Sequence, residues 1–215
     1  MKKKDIKVFV MLVIMKMIQA VIYMLGKLSP FTPHLLQSVI DNKIPFISCF
    51  IYLYYSWYIM IILIPFLYYK KDNITFKKYM ISYQISIIVA FLFYFLYPTM
   101  IIRPVITSQG LSNQLTDLLY HMDQPALNCL PSMYCVLCFF HIYYIMKCKN
   151  ISKYIRVSTI VWALLVTLST LLVKQHVLVD VVFALIVAMI IIWLVENIKV
   201  KRIVNNKTIK QGSKK

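Results

Sequence analysis

The chain has 215 residues, 61% of them apolar and only 14% charged, with a mean hydropathy of +0.74 and a formal charge of +17. A soluble domain carries about a quarter charged residues, so this composition excludes an ordinary water-soluble globule. The alternating polar and apolar pattern of a membrane β-barrel is also missing, which leaves an all-α polytopic membrane protein.

Crossing a bilayer as a helix takes about 20 mostly apolar residues. In chain order the candidate spans are Val8–Leu25, Phe46–Tyr69, Tyr79–Tyr97, Leu130–Met146, Val157–Val173 and Val177–Val195. This predicts about six transmembrane helices within one membrane domain, residues 1–198, followed by a basic tail, residues 199–215. The first span follows a basic start and lacks a small-residue cleavage site before Gly26, so it reads as a retained helix rather than a signal peptide. Lys16 lies within it, either reaching toward the interface or facing a polar interior.

Between the third and fourth spans runs Pro98–Pro131, too long for a mere connection and without a strong pattern of its own. Loops of such length are usually functional or disordered. It opens with YPTMIIRP, which puts Arg103 just beyond the span, and closes with DQPALNCLPSMY. Pro131 suits the first position of a helix, so Ser132 and Met133 fall in its first turn, where free amides and the helix dipole favour an anion. Between the last two spans lies STLLVKQHVLVD, Ser169 to Asp180. His176 and Asp180 are spaced i, i+4 and share one face. A carboxylate beside an imidazole fixes its tautomer and steadies its charge, which suits a nucleophile; the same pair also serves simple polar packing between helices. Lys174 adds positive charge at this rim or anchors it at the interface.

The five cysteines, Cys49, Cys129, Cys135, Cys138 and Cys148, form no disulfide framework. Cys135 and Cys138 share a helix face but lack the His or carboxylate partners of a zinc site.

Basic charge is distributed unevenly. One set of segments holds Lys2, Lys3, Lys4 and Lys7, then Lys70, Lys71, Lys77 and Lys78, then Lys147, Lys149, Lys153 and Arg156, and the tail from Lys199. The opposite set holds only Lys27, Lys43, Arg103 and Lys174. By the positive-inside rule both termini are cytoplasmic and the Arg103 and His176 loops face outside. The charge then serves topology and attraction to anionic membrane lipids, which argues against nucleic acid as a partner. Glycosylation triplets at Asn73, Asn150 and Asn206 all fall on the cytoplasmic side and should carry no glycan.

Arg103-Pro104, then Pro131-Ser132-Met133, then Ser169 with His176 and Asp180, resemble the three motifs of the type-2 phosphatidic-acid phosphatase superfamily. NCLPSMY followed by KQHVLVD is similar to its bacterial and inositol-phosphorylceramide-synthase-like branch. The resemblance implies a six-helix lipid phosphatase, or a transferase of phosphate-bearing headgroups, with a lipid phosphate or diphosphate as substrate and no cofactor or metal. It also implies that His176 attacks phosphorus, Asp180 orients it, and Arg103 and Ser132 hold phosphate oxygens; Lys174, outside the motifs, is a further phosphate-binding candidate that could supply charge as a point cation.

Three positions depart from the family pattern. Leu96 stands where its first motif has Lys, Thr170 where its third has Arg, and Tyr134 where its second ends in the His that acts as general acid. His141 lies about 10 Å deeper along the same helix by helix rise, whereas His121 in the long loop is a possible substitute. A phenol is a weaker acid than imidazolium. Tyr134 in the acid position therefore predicts a preference for lipid diphosphates, whose leaving phosphate needs little proton assistance. The alternatives are a non-catalytic relative that binds lipid phosphates or a membrane partner, and a transporter or structural protein with chance matches.

Overall fold

Helices form wherever the sequence offers a long apolar run, because only a helix satisfies its own backbone groups without water. The computed structural model describes residues 3–197. Among these are the helices α1 (Lys3–Gly26), α2 (Val39–Lys43), α3 (Ile51–Lys71), α4 (Asn73–Leu96), α5 (Leu111–Met122), α6 (Met133–Lys147), α7 (Lys153–Leu172) and α8 (Leu178–Asn197). Two short strands, β1 (His34–Leu35) and β2 (Thr99–Met100), pair in parallel with His34 opposite Thr99. The tail from Lys199, with Asn206, lies outside the described residues.

The all-α membrane architecture holds, with one revision to the expected six spans. Five helices, α1, α3, α4, α7 and α8, are long and apolar enough to cross a bilayer. The sixth, α6, has 15 residues, about 22 Å by helix rise against a hydrocarbon core of about 30 Å. It begins later than the apolar run suggests because the Cys129 and Leu130 amides leave the helical path and donate to Thr99 Oγ1 at 3.1 and 2.9 Å. Ser132 then caps it, its Oγ accepting from the Cys135 amide. This short helix is the axis of the bundle. It packs against α3, α4, α7 and α8, and Cys135, Val136, Leu137, Cys138 and Phe140 are completely buried.

The remaining boundaries follow from caps. Asp72 alone separates α3 from α4, its Oδ1 accepting from the Ile74 and Thr75 amides, so α4 starts before the expected Tyr79. Oδ2 of the same carboxylate accepts from the Lys149 amide at 3.2 Å and ties down the α6–α7 connection. Ser152 caps α7 through Ile155.

The bundle therefore has two chemically distinct ends. One carries the α3–α4 and α6–α7 connections, with the ion pairs Asp5–Lys70 and Lys78–Glu196. The other carries residues 27–50, the Pro98–Pro131 segment and the α7–α8 turn. Contrary to the sequence expectation, the Pro98–Pro131 segment contains regular structure. Leu111, Leu115, Leu119 and Met122 recur at helical spacing in α5, whose Leu119 and Tyr120 are buried against the bundle.

Candidate functional site

A cavity of about 560 Å³ opens between α1, α3, α4 and α6 beneath the Pro98–Pro131 segment. It has the size of a small-molecule site. Arg103, Asp123, Tyr134, Gln175 and His176 line it, together with Lys16, Gln19, Tyr23 and Tyr58. Arg103, Tyr134 and His176, far apart in sequence, thus share one chamber.

His176 is set by a tight turn. Helix α7 ends as Lys174 takes a left-handed conformation, φ 51°, and the Thr170 carbonyl then accepts from the Gln175 and His176 amides at 2.9 and 3.1 Å. At the start of α8, Asp180 turns back. Its Oδ2 lies 3.2 Å from His176 Nδ1 and accepts from the Val177 amide at 3.0 Å. One carboxylate therefore caps the helix and fixes the ring, and Asp180 is completely buried. With Nδ1–H donating to Asp180, Nε2 carries the free lone pair.

Arg103 is held by several acceptors. One terminal nitrogen donates to Asp123 Oδ2 and, at 2.7 Å, to Gln175 Oε1; the other donates to the Asp123 carbonyl at 3.2 Å. Its guanidinium sits 5.0 Å from the Tyr120 ring centre. The Tyr120 hydroxyl in turn donates to the Val173 carbonyl at 2.8 Å, and burial pushes that phenol above its ordinary range. Two buried donors here lack an acceptor: Arg103 Nε and the Gln175 side-chain amide nitrogen. A buried donor without a partner costs about 1–3 kcal/mol, so such groups normally mark strain, water or an absent ligand.

Asp123 is the counter-ion of this cluster. Besides Arg103 it meets Lys27 Nζ at 2.9 Å and the Tyr23 hydroxyl at 2.5 Å. It stands where two cations and a phenol converge, the arrangement an external anion would also use.

Tyr134 occupies the opposite wall. Its ring stacks on Trp57 at 3.9 Å and on Tyr54 at 4.4 Å between centroids, and its hydroxyl donates to the Tyr58 hydroxyl at 3.0 Å. Neither His141 nor His121 is placed to replace it. His141 is fully buried, stacked on Tyr79, and does not line the cavity. His121 is exposed on α5 beside Asp117 at 3.5 Å and is also absent from the lining.

Ser132 and Lys174, the other two phosphate-binding candidates, are engaged with protein partners and do not line this cavity. Ser132 is fully buried, with its Oγ engaged in capping α6. Lys174 points to a neighbouring loop, donating to the Asp41 and Ile44 carbonyls at 2.8 and 2.6 Å. It closes α2, and burial lowers its ammonium below the ordinary value while Asp41 offsets part of that. Asp41 braces the same region by accepting from the Leu178 amide at 2.8 Å. Burial pushes its carboxyl up, but hydrogen bonds from Ser38 and Leu178 outweigh this and hold it below its ordinary value.

Gln175, Asp123 and Lys27 were not singled out in the sequence. A signal existed for Asp123, one of only seven acidic residues and directly followed by the Gln-Pro of the closing run. Gln175 is adjacent to His176 and carried no signal of its own. Among the described residues no group of three His, Cys, Asp or Glu side chains forms a candidate metal site.

Comparison with known protein families, with curated proteins and with solved structures found no match to this chain.

Proposed function

We propose that this protein is a membrane lipid-phosphate phosphatase or phosphotransferase, of the type-2 phosphatidic-acid phosphatase kind, working through a phosphohistidine at His176. The observation that carries the reading is that Arg103 and Gln175, each with a buried donor lacking an acceptor, line the cavity beside a histidine held by a buried carboxylate. Phosphoryl transfer needs chiefly positioning and positive charge around the equatorial oxygens, and these groups supply both. The Nε2 lone pair of His176 forms a bond to phosphorus while the bond to the leaving oxygen breaks. That oxygen takes the electron pair, and a proton from Tyr134 or water. Water, or an acceptor hydroxyl in a transferase, then forms a new P–O bond as the P–N bond breaks; its proton returns to the Tyr134 phenolate or to the hydroxide left by the first step, and Nε2 recovers its lone pair.

Lipid substrate has a route to the cavity, because Met17, Met24 and Tyr58 line it and are exposed on the bundle surface. The decisive test is phosphate release from a lipid diphosphate by purified protein. His176→Ala should lower turnover by about 10³-fold or more with an unchanged melting profile. Equal turnover in the variant would remove the mechanism.

The basic-residue bias supports an outside-facing site and cytoplasmic termini. A Gly110→Cys variant freed of native thiols should react with an impermeant thiol reagent in intact cells; labelling only after lysis would reverse the orientation.

A second reading, a non-catalytic relative that binds lipid phosphates or a membrane partner, is favoured by the Tyr134 stack. An acid locked between two rings and bonded to Tyr58 is poorly placed to follow a leaving group. Tight binding of a lipid phosphate without release or phosphoenzyme in the wild-type protein would select it.

A further inference from the structure

Among the described residues Lys16 makes no ion pair with a carboxylate. All seven acidic residues are engaged elsewhere: Asp5 with Lys70, Asp41 at α2, Asp72 at the α4 cap, Asp117 with His121, Asp123 with Arg103, Asp180 with His176 and Glu196 with Lys78. The Lys16 ammonium instead lies 4.4 Å from the Trp57 ring centre and 5.2 Å from that of Tyr58. An ionised side chain inside a membrane span is costly and is normally retained for function.

Its neighbours in the cavity are donors too. The Gln19 carbonyl oxygen accepts from the Tyr83 hydroxyl at 2.6 Å, which leaves its NH₂ group to donate. The Tyr58 hydroxyl accepts from Tyr134, which leaves its own proton to donate. Lys16, Gln19 and Tyr58 therefore offer hydrogen bonds with no anionic acceptor among them.

The position of this cluster is set by α1. Lys16, Gln19 and Tyr23 follow at i, i+3 and i+7 and all line the cavity. Tyr23 reaches Asp123, which pairs with Arg103. Seven residues of helix separate the Lys16 level from the Tyr23 level, about 10 Å. Ala20, Ile22, Ile87, Ala90 and Met133 line the cavity as well and give it an apolar component.

We infer that the cavity holds a second anion subsite, formed by Lys16, Gln19 and Tyr58, and that its ligand is an amphiphile with two acidic groups about 10 Å apart. One group meets the Arg103–His176 cluster and the other meets Lys16. The spacing is too long for the two phosphates of one diphosphate and fits two acidic groups separated by an apolar stretch. This inference rests on the reading of the Arg103–His176 cluster as a phosphate site.

Isothermal titration of the purified full chain in micelles tests it with three probes: inorganic phosphate, octylphosphonate and octane-1,8-bisphosphonate. The bisphosphonate should bind about tenfold or more tighter than the monophosphonate. Lys16→Met should abolish that advantage while leaving monophosphonate affinity unchanged, which also serves as its folding control. Lys16→Arg should keep the advantage, and it carries the test if the Met variant does not fold. Equal affinity of the two phosphonates for the wild-type chain, or an advantage that survives Lys16→Met, would overturn the subsite. Arg103→Met addresses the underlying reading separately: it should weaken octylphosphonate binding about tenfold or more. If it leaves octylphosphonate binding intact, the phosphate assignment at Arg103 fails, whatever Lys16 does.

Discussion

The two walls of the cavity are built on opposite plans. On the Arg103–Gln175–His176 wall two buried nitrogens are left without acceptors and a carboxylate, Asp123, sits on the cations. On the Tyr134 wall the ring contacts are filled and the hydroxyl is bonded, with Trp57 and Tyr54 stacked and Tyr58 accepting. The first wall holds two donors without acceptors, whereas around Tyr134 the second is packed as an aromatic core would be, with the Tyr58 proton and Lys16 at its edge. On the proposed reading, positive charge and a fixed imidazole favour transfer from a good leaving group, and a restrained phenol contributes little to expelling a poor one.

The largest effect expected within this contrast comes from Arg103. Arg103→Lys keeps the charge but removes the planar fork that meets Asp123 and Gln175 together. Phosphate release from a lipid diphosphate should fall about 100-fold, measured as kcat/KM. A loss under threefold would make the guanidinium a structural tie to the loop alone.

Next comes the aromatic wall. Tyr134→His should raise hydrolysis of a lipid monoester by about tenfold or more, within the range of general acid catalysis. Diphosphate hydrolysis should change much less, because a departing phosphate is stabilised without that proton. Parallel assays of both substrates check this; equal gains would mean that Tyr134 does not govern the leaving group.

The smallest effect concerns Asp123. Asp123→Asn preserves shape and removes the charge that competes with an incoming anion. Affinity for a monophosphonate should rise about three- to tenfold, on the order of 1 kcal/mol for a partly buried charge-assisted contact. Weaker binding would mean that Asp123 organises Arg103 and Lys27 for the ligand rather than standing in its place.

The sequence was most legible where chemistry is local. His176 and Asp180 do meet, although His176 precedes α8 and the carboxylate reaches back to it from the first turn rather than along a shared helical face, and the apolar runs mark all five long helices. It was less legible where one residue type serves two purposes. Ser132 and Lys174 carry the right groups for an anion, yet a helix start needs a cap and a helix end needs its carbonyls satisfied. Those nearer partners took them. Helix α5 was a different failure, since its leucine spacing was present and its polar residues masked it.

By itself the amino-acid sequence determined that this protein is a helical membrane protein and that its basic residues segregate. Length, hydropathy and charge act over short stretches and need no partner to be read. Only the tertiary structure decided that α6 is a short buried axis rather than a full-length span. It also decided that Asp123 and Gln175 belong with Arg103, and that Lys16 shares their cavity. Those relations join residues 72 positions apart for Arg103 and Gln175 and further apart for Lys16 and Gln175, and long-range packing of helices, not local spacing, sets which side chains face one another.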